Sequence, residues 1–324
     1  MKIAILGTGA YGLSVALMLN EKNKNIMMWT KFQEEKDLLE KTHENYKVLP
    51  NIVLPNNIKF TTDMKECVQD SDIVFIMVPA GYVDSVSLEL SKYYDNQYLC
   101  LGSKGIEQDT CRFVEEVVSK TIKTKKIAVL SGPSFAIDIA NFQPIGLSLA
   151  SKDSKTRQVL KEALDNDYLK IRETDDVIGI EICGSIKNII AIASGIADGM
   201  GLSDSSKAML ITEALHDIKE LIHTLGGNKK TILSYAGIGD LLLTCTSSQS
   251  RNFTYGKLIG SQVDEKEILN YQQTTTIEGL YTLKSIYKLL KNKKVDMPII
   301  DLMYQIVIEK ADINLIKKFL REKL

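Results

Sequence analysis

The sequence predicts an α/β protein: an N-terminal doubly wound, mostly parallel sheet with helices on both faces, followed by an all-helical C-terminal domain. Three observations carry that expectation. From Lys2 to Leu149, short Ile- and Val-rich runs alternate with stretches of helical period, the pattern of strands covered on both faces. After residue 176 such runs vanish and long helical periods take over. The 324 residues, 44% of them hydrophobic, suffice for two cores at about 150 residues each. The expected division is a sheet domain over 1–175 and a helical domain over 176–324.

Strands are expected at 2–6, 26–29, 58–61, 73–78, 98–101, 127–130 and 145–149, each a short apolar run. Helical periods occupy 13–20, 83–94 and 113–122 between them. Pro50 and Pro55 interrupt every regular pattern over 45–57, which marks an unusually long loop. In the second domain a helix over about 176–198 is apolar almost all round, as in a buried helix. The next runs from Ser203, a capping residue, to Thr224 and stops at Gly226 and Gly227. Shorter helices complete the chain.

Composition excludes several classes of function. With 40 Lys and Arg against 41 Asp and Glu, the net charge of −1 gives no positive field to gather a nucleic acid, so no nucleic-acid partner is expected. No apolar run approaches the roughly 20 residues of a bilayer span, so stable membrane insertion is not expected. The first apolar stretch begins at Ile3 behind Lys2 alone and reads as a strand, not a secretory signal. The five cysteines, Cys67, Cys100, Cys111, Cys183 and Cys245, are odd in number and form no C-x-x-C pair. That usage suits a reducing cytoplasm. The three histidines, His43, His216 and His223, lie far from them in sequence, so no metal site is expected.

The run Gly7-Thr8-Gly9-Ala10-Tyr11-Gly12 follows the first strand and opens a helix. Glycines there permit a tight turn and backbone approach to a pyrophosphate, and the helix start offers N–H groups and positive dipole, the Rossmann-type dinucleotide fingerprint. The second strand ends Met28-Trp29-Thr30-Lys31, with no carboxylate before Glu34. An NAD site usually carries an acidic residue at that point, whereas Lys31 can meet a 2′-phosphate. NADP is therefore favoured over NAD.

Other strands end in polar or glycine-bearing turns, Val78-Pro79-Ala80, Leu101 to Gly105 and Leu130 to Ser134. These tips of a parallel sheet open on one crevice, which aims Lys104 at cofactor and substrate. Lys187 lies inside the apolar helix, on a stripe with Gly184, Ala191, Ser194 and Gly195 that leaves room beside its ammonium. A buried ammonium needs a partner, which an anionic substrate, Glu181 or Asp240 would supply. It can also deliver a proton to a carbonyl oxygen as hydride reaches the carbon. Downstream, Ala236-Gly237-Ile238-Gly239-Asp240 and Ser250-Arg251-Asn252 each read as a helix start. Backbone N–H groups with Arg251 and Asn252 would form a compact phosphate site, or Asp240 and Ser250 serve simply as caps.

Together these segments resemble the NAD(P)-dependent glycerol-3-phosphate dehydrogenases of bacteria. The likeness runs through the glycine fingerprint, Lys104-Gly105-Ile106-Glu107, Leu130 to Ala136, Glu181 to Asn188, Ala236 to Thr246, Ser250-Arg251-Asn252 and Ile277-Glu278-Gly279. It implies reduction of dihydroxyacetone phosphate, a phosphorylated small-molecule substrate, to sn-glycerol 3-phosphate for phospholipid synthesis. Carried over by position, Lys187 matches the catalytic lysine. Lys104 matches a lysine touching substrate and nicotinamide, and Gly132, Ser134, Asp240, Thr244, Ser250, Arg251 and Asn252 match substrate contacts. Gly7, Gly9, Ala10, Tyr11, Gly12, Lys31, Ala136, Thr276 and Glu278, with Arg251, match the cofactor set. Ser205 stands where the family usually has asparagine, and Glu213 where arginine is common. Those departures leave subunit contacts and substrate choice open; a homodimer is compatible with the sequence. Two rivals stay open, a hydroxy-acid dehydrogenase and a nicotinamide-sensing module.

Overall fold

The computed structural model describes residues 1–108 and 110–322, and the chain divides into two units. The first comprises Met1–Lys104 and Val114–Val177. Its strands are β1 (Lys2–Leu6), β2 (Asn25–Trp29), β3 (Ile58–Thr61), β4 (Ile73–Ile76), β5 (Tyr98–Leu101), β6 (Ile127–Ser131), β7 (Ile145–Ala150) and β8 (Leu169–Thr174). Its helices are α1 (Ala10–Asn20), α2 (Gln33–Thr42), α3 (Met64–Val68), α4 (Val83–Ser91), α5 (Val114–Thr121), α6 (Ala136–Ala140) and α7 (Ser154–Leu164). The strands form one sheet in the order β3-β2-β1-β4-β5-β6-β7-β8. Every neighbouring pair is parallel except β6 with β7. All residues of β4 and β6 are buried, as a sheet sandwiched between helices demands.

One strand departs from the sequence reading, and one strand direction lies beyond it. β8 was not expected: none of its residues is fully buried and it lies at the sheet edge, so it lacks the continuous apolar run that marks an inner strand. β7 runs against β6, a direction that hydrophobic pattern does not encode. The register then positions the site. Leu6 lies opposite Trp29 and Ile76, and Ile76 opposite Leu101. The turns that follow, carrying Gly7, Thr30, Met77 and Gly102, therefore lie side by side along one sheet edge.

The second unit comprises Gly105–Phe113 and Ile178–Leu324. Its helices are α8 (Val177–Gly199), α9 (Asp204–Thr224), α10 (Asp240–Thr246), α11 (Arg251–Gly260), α12 (Glu265–Thr274), α13 (Glu278–Lys293), α14 (Pro298–Val307) and α15 (Leu315–Arg321). Ile106, Cys111 and Phe113 join its core beside α8, α9, α13 and α14 residues. Ser203 caps α9, its hydroxyl accepting from the Ser206 N–H, as its position before the apolar period predicted. The expectation that no apolar run nears membrane-spanning length needs correction. α8, at 23 residues, is long and apolar enough, but 89% of its apolar window is buried inside the protein. It is the central helix of a core.

Asp217 on α9 gives this unit a pH-dependent weakness. Its carboxylate accepts a 3.3 Å hydrogen bond from the Ile299 N–H at the start of α14. Burial pushes its carboxyl up to about 6 from the ordinary 3.8; the Ile299 bond and His216 oppose that rise, while Glu213 and Asp296 add to it. A raised carboxyl contributes stability that is complete below 3.8 and is lost as pH rises through about 6. Asp217→Asn should therefore stabilise the protein at pH 7 by about 1 kcal/mol, solvent screening of this partly exposed group included. The gain should vanish towards pH 4. Thermal unfolding of both forms across that range checks this, and a pH-independent difference would disprove the assignment.

Candidate active site

The first unit supplies a glycine-lined turn between β1 and α1. Gly7 has a φ of +118°, and a β-carbon there would lie 2.7 Å from the Met77 carbonyl oxygen. A β-carbon on Gly12 would lie 2.3 Å from the Gly7 oxygen. Both positions exclude a side chain, which suits close approach of a ligand to backbone. Gly9 precedes α1 without a side-chain cap, so Ala10, Tyr11 and Gly12 form a helix start open to an anion. Ser14 one turn later donates to the Ala136 carbonyl at 2.7 Å and ties α1 to α6. This geometry fits the pyrophosphate of a dinucleotide.

At the tip of β2, Lys31 is exposed and makes no ion pair among the described residues. A carboxylate does reach this tip, from α2. Glu35 Oε2 accepts from Thr8 Oγ1 at 2.7 Å and from Thr30 Oγ1 at 2.5 Å, and Oε1 accepts from Asn45 Nδ2 at 3.1 Å. Sequence reasoning missed Glu35 because it looked for an acid on the strand itself. Further along the same edge, Lys104 Nζ donates to the Gly132 carbonyl at 3.2 Å and Ser134 Oγ to the same oxygen at 3.1 Å. Lys104, Gly132 and Ser134 thus form one polar group in the first unit.

The second unit holds a buried ion pair. Lys187 Nζ donates to Asp240 Oδ1 at 2.6 Å and to Thr244 Oγ1 at 3.0 Å, with Lys187 8% and Asp240 1% exposed. Thr244 in turn donates to the Asp240 backbone carbonyl at 2.6 Å. Asp240 is the first residue of α10, after Gly239, so it does not cap the helix; it supplies the counter-charge a buried ammonium requires. Cys245 beside the pair is fully buried, and burial pushes its thiol up despite the opposing pull of Lys187. It stays a neutral thiol and offers no nucleophile.

The small-residue stripe has a use beyond the one expected. A β-carbon on Gly195 would lie 2.0 Å from the Phe253 carbonyl, and one on Gly256 2.1 Å from the Ile192 carbonyl. At Gly195 the stripe lets α8 and α11 touch backbone to backbone. That contact fixes the start of α11. Ser250 caps the helix by accepting from the Phe253 N–H at 3.2 Å, which leaves the N–H groups of Arg251 and Asn252 at its open end. Arg251 is exposed.

Asn252 turns inward. Its Oδ1 accepts from the Gly279 N–H at 2.9 Å and its Nδ2 donates to Asn188 Oδ1 at 3.0 Å. Asn188 Nδ2 reaches Glu278 Oε2 at 3.3 Å. Asn188, which sequence reasoning quoted only as part of a longer match, is thus the joint between α8, α11 and the first residue of α13. Thr276 is exposed, two residues before α13. Among the described residues no cluster of His, Cys, Asp and Glu could hold a metal ion.

The family model described as NAD-dependent glycerol-3-phosphate dehydrogenase N-terminus matches residues 2–157, and the model of the corresponding C-terminus matches 176–318. A glycerol-3-phosphate dehydrogenase (NAD(P)+) of Staphylococcus haemolyticus is 38% identical over 312 residues, covering 95% of this chain and 94% of its own. A Staphylococcus aureus protein of the same name is 37% identical over 326 residues, covering 99% and 98%. The crystal structure of a glycerol-3-phosphate dehydrogenase from Coxiella burnetii superposes with a TM-score of 0.93 at 34% identity, covering 99% of each chain.

Proposed function

The chain belongs to the NAD-dependent glycerol-3-phosphate dehydrogenase family, and from that premise we propose that it interconverts dihydroxyacetone phosphate and sn-glycerol 3-phosphate with NADPH, or less well NADH, in the cytoplasm. The product would feed glycerophospholipid synthesis. The observation that carries the reading is the buried Lys187–Asp240–Thr244 group, a proton source held in place at considerable electrostatic cost.

When bound, the nicotinamide cofactor supplies the hydride. Gly7, Gly9, Ala10, Tyr11, Gly12, Lys31 and Ala136 would hold its adenosine and pyrophosphate end, with Lys104, Arg251, Thr276 and Glu278 as further contacts. Lys187 donates the proton that turns the substrate carbonyl oxygen into a hydroxyl, while Asp240 and Thr244 keep Nζ aimed. Arg251, the open N–H groups of α11 and Ser250 grip the phosphate. Lys104, Gly132 and Ser134 complete the substrate contacts. Asn252 contributes its backbone N–H, since its amide braces the helix.

A spectrophotometric assay with dihydroxyacetone phosphate and each of NADH and NADPH tests this; turnover of short 2-keto acids in its place would overturn it. Preference for NADPH rests on Lys31, the exposed cation at the β2 tip. Lys31→Glu should move the NADPH/NADH ratio of kcat/KM towards NADH by roughly 10-fold, about 1.4 kcal/mol. An unchanged ratio would remove Lys31 from the site.

A further inference from the structure

We infer that Glu35 is a positioning residue for the cofactor: from α2 it holds the glycine turn and the β2 tip in the shape that receives the dinucleotide. The inference rests on the dehydrogenase reading above. Its carboxylate gathers donors from three separate segments, Thr8 in the turn after β1, Thr30 after β2 and Asn45 in the loop after α2. All three donors are buried. One oxygen serves two hydroxyls at once, which an acceptor-only group does without a competing hydrogen.

Thr8 is the point of leverage. In Gly7-Thr8-Gly9 it bears the turn's only side chain, and the flanking glycines allow the backbone many other conformations. The turn is held from one side by the Gly7 N–H bonded to the Trp29 carbonyl at 2.9 Å. From the other it is held by Thr8 on Glu35. Without Glu35 the turn would sample other shapes, and binding would have to order it again, which lowers affinity for any ligand seated there. NADH and NADPH share that pyrophosphate seat, so both should weaken together. The chemical step, which uses none of these groups, should not change.

The neighbouring Asn45 makes a discriminating variant available. Its Oδ1 is buried with no partner among the described residues. After an amide rotation of Asn45, a glutamine at 35 could keep both threonine hydroxyls on its oxygen and donate its own N–H to that Oδ1. Glutamine thus preserves the scaffold and removes the charge, whereas alanine removes both.

The test is titration of the full-length protein with NADH and NADPH, followed by nicotinamide fluorescence, together with steady-state kinetics. Glu35→Ala should weaken both cofactors alike, by about 10-fold in Kd and KM, with kcat at saturating cofactor and the KM for dihydroxyacetone phosphate unchanged. Glu35→Gln should bind within about threefold of wild type. Thr8→Val, which fills the same space without the hydroxyl, should reproduce the alanine effect and serves where alanine does not fold. Wild-type affinity in Glu35→Ala or in Thr8→Val overturns the inference, and so does a Glu35→Gln form as weak as the alanine variant. Wild-type protein that binds neither cofactor overturns the dehydrogenase reading itself.

Discussion

Lys187→Ala should lower kcat by about 10²-fold or more while leaving cofactor affinity nearly intact. The lysine lies on the central helix of the second unit with its ammonium committed to Asp240 and Thr244. A surface cation would need no such arrangement, and a purely structural one would be replaceable by apolar packing at little cost. Its removal has a second consequence. Asp240, 1% exposed, would be left as a buried charge without its partner, at a cost of about 3 to 5 kcal/mol. Loss of activity in Lys187→Ala alone is therefore ambiguous. The double variant Lys187→Met/Asp240→Asn removes the orphan charge, so its Tm should recover while its turnover does not. A double variant with kcat within about threefold of wild type would make the pair structural and end the proton-donor assignment.

The sequence foreshadowed this site unevenly, for physical reasons. Strands β1, β4 and β6 announce themselves because both of their faces are covered, leaving short unbroken apolar runs. β8 escaped because one face meets solvent and charged residues interleave. The segment Gly105–Phe113 leaves the first unit and joins the core of the second, and nothing in its composition signals that excursion. Residues whose role follows from local backbone were legible: Gly7 and Gly12 in the turn, Ser203 and Ser250 as caps. Pairings across long separations were legible only as alternatives. Lys187 needed a partner, and both Glu181 and Asp240 qualified on charge; only the fold brings a residue 53 positions away to 2.6 Å. Glu35 shows the limit most clearly. The strand end showed no carboxylate, yet one reaches Thr30 at the β2 tip from the first turn of the next helix, where a strand-based search does not look.

Arg251→Lys should lower kcat/KM for dihydroxyacetone phosphate by about 10- to 100-fold, about 1.4 to 2.8 kcal/mol, through both a higher KM and a lower kcat. The argument begins with the close contact of α8 and α11. Gly195 and Gly256 let the two backbones meet, and Asn252 pins the first turn of α11 to Asn188 and Gly279. The open end of α11 is therefore rigidly placed within the second unit, together with Lys187 on α8. Ser250 consumes the Phe253 N–H, so the helix offers an anion the N–H groups of Arg251 and Asn252 and its positive dipole. A guanidinium adds a bidentate, charge-assisted bond to phosphate oxygens; an ammonium retains the charge but not the fork. A phosphate gripped in that way fixes the distance from the anchor to the carbonyl that Lys187 must protonate, which is why kcat should fall with affinity. Dihydroxyacetone, which lacks the phosphate, gives the control. Its slow reduction should change far less in Arg251→Lys than that of the phosphorylated substrate. Equal losses on both would assign Arg251 to the cofactor or to α11 itself and move the phosphate anchor to the Lys104, Gly132 and Ser134 group.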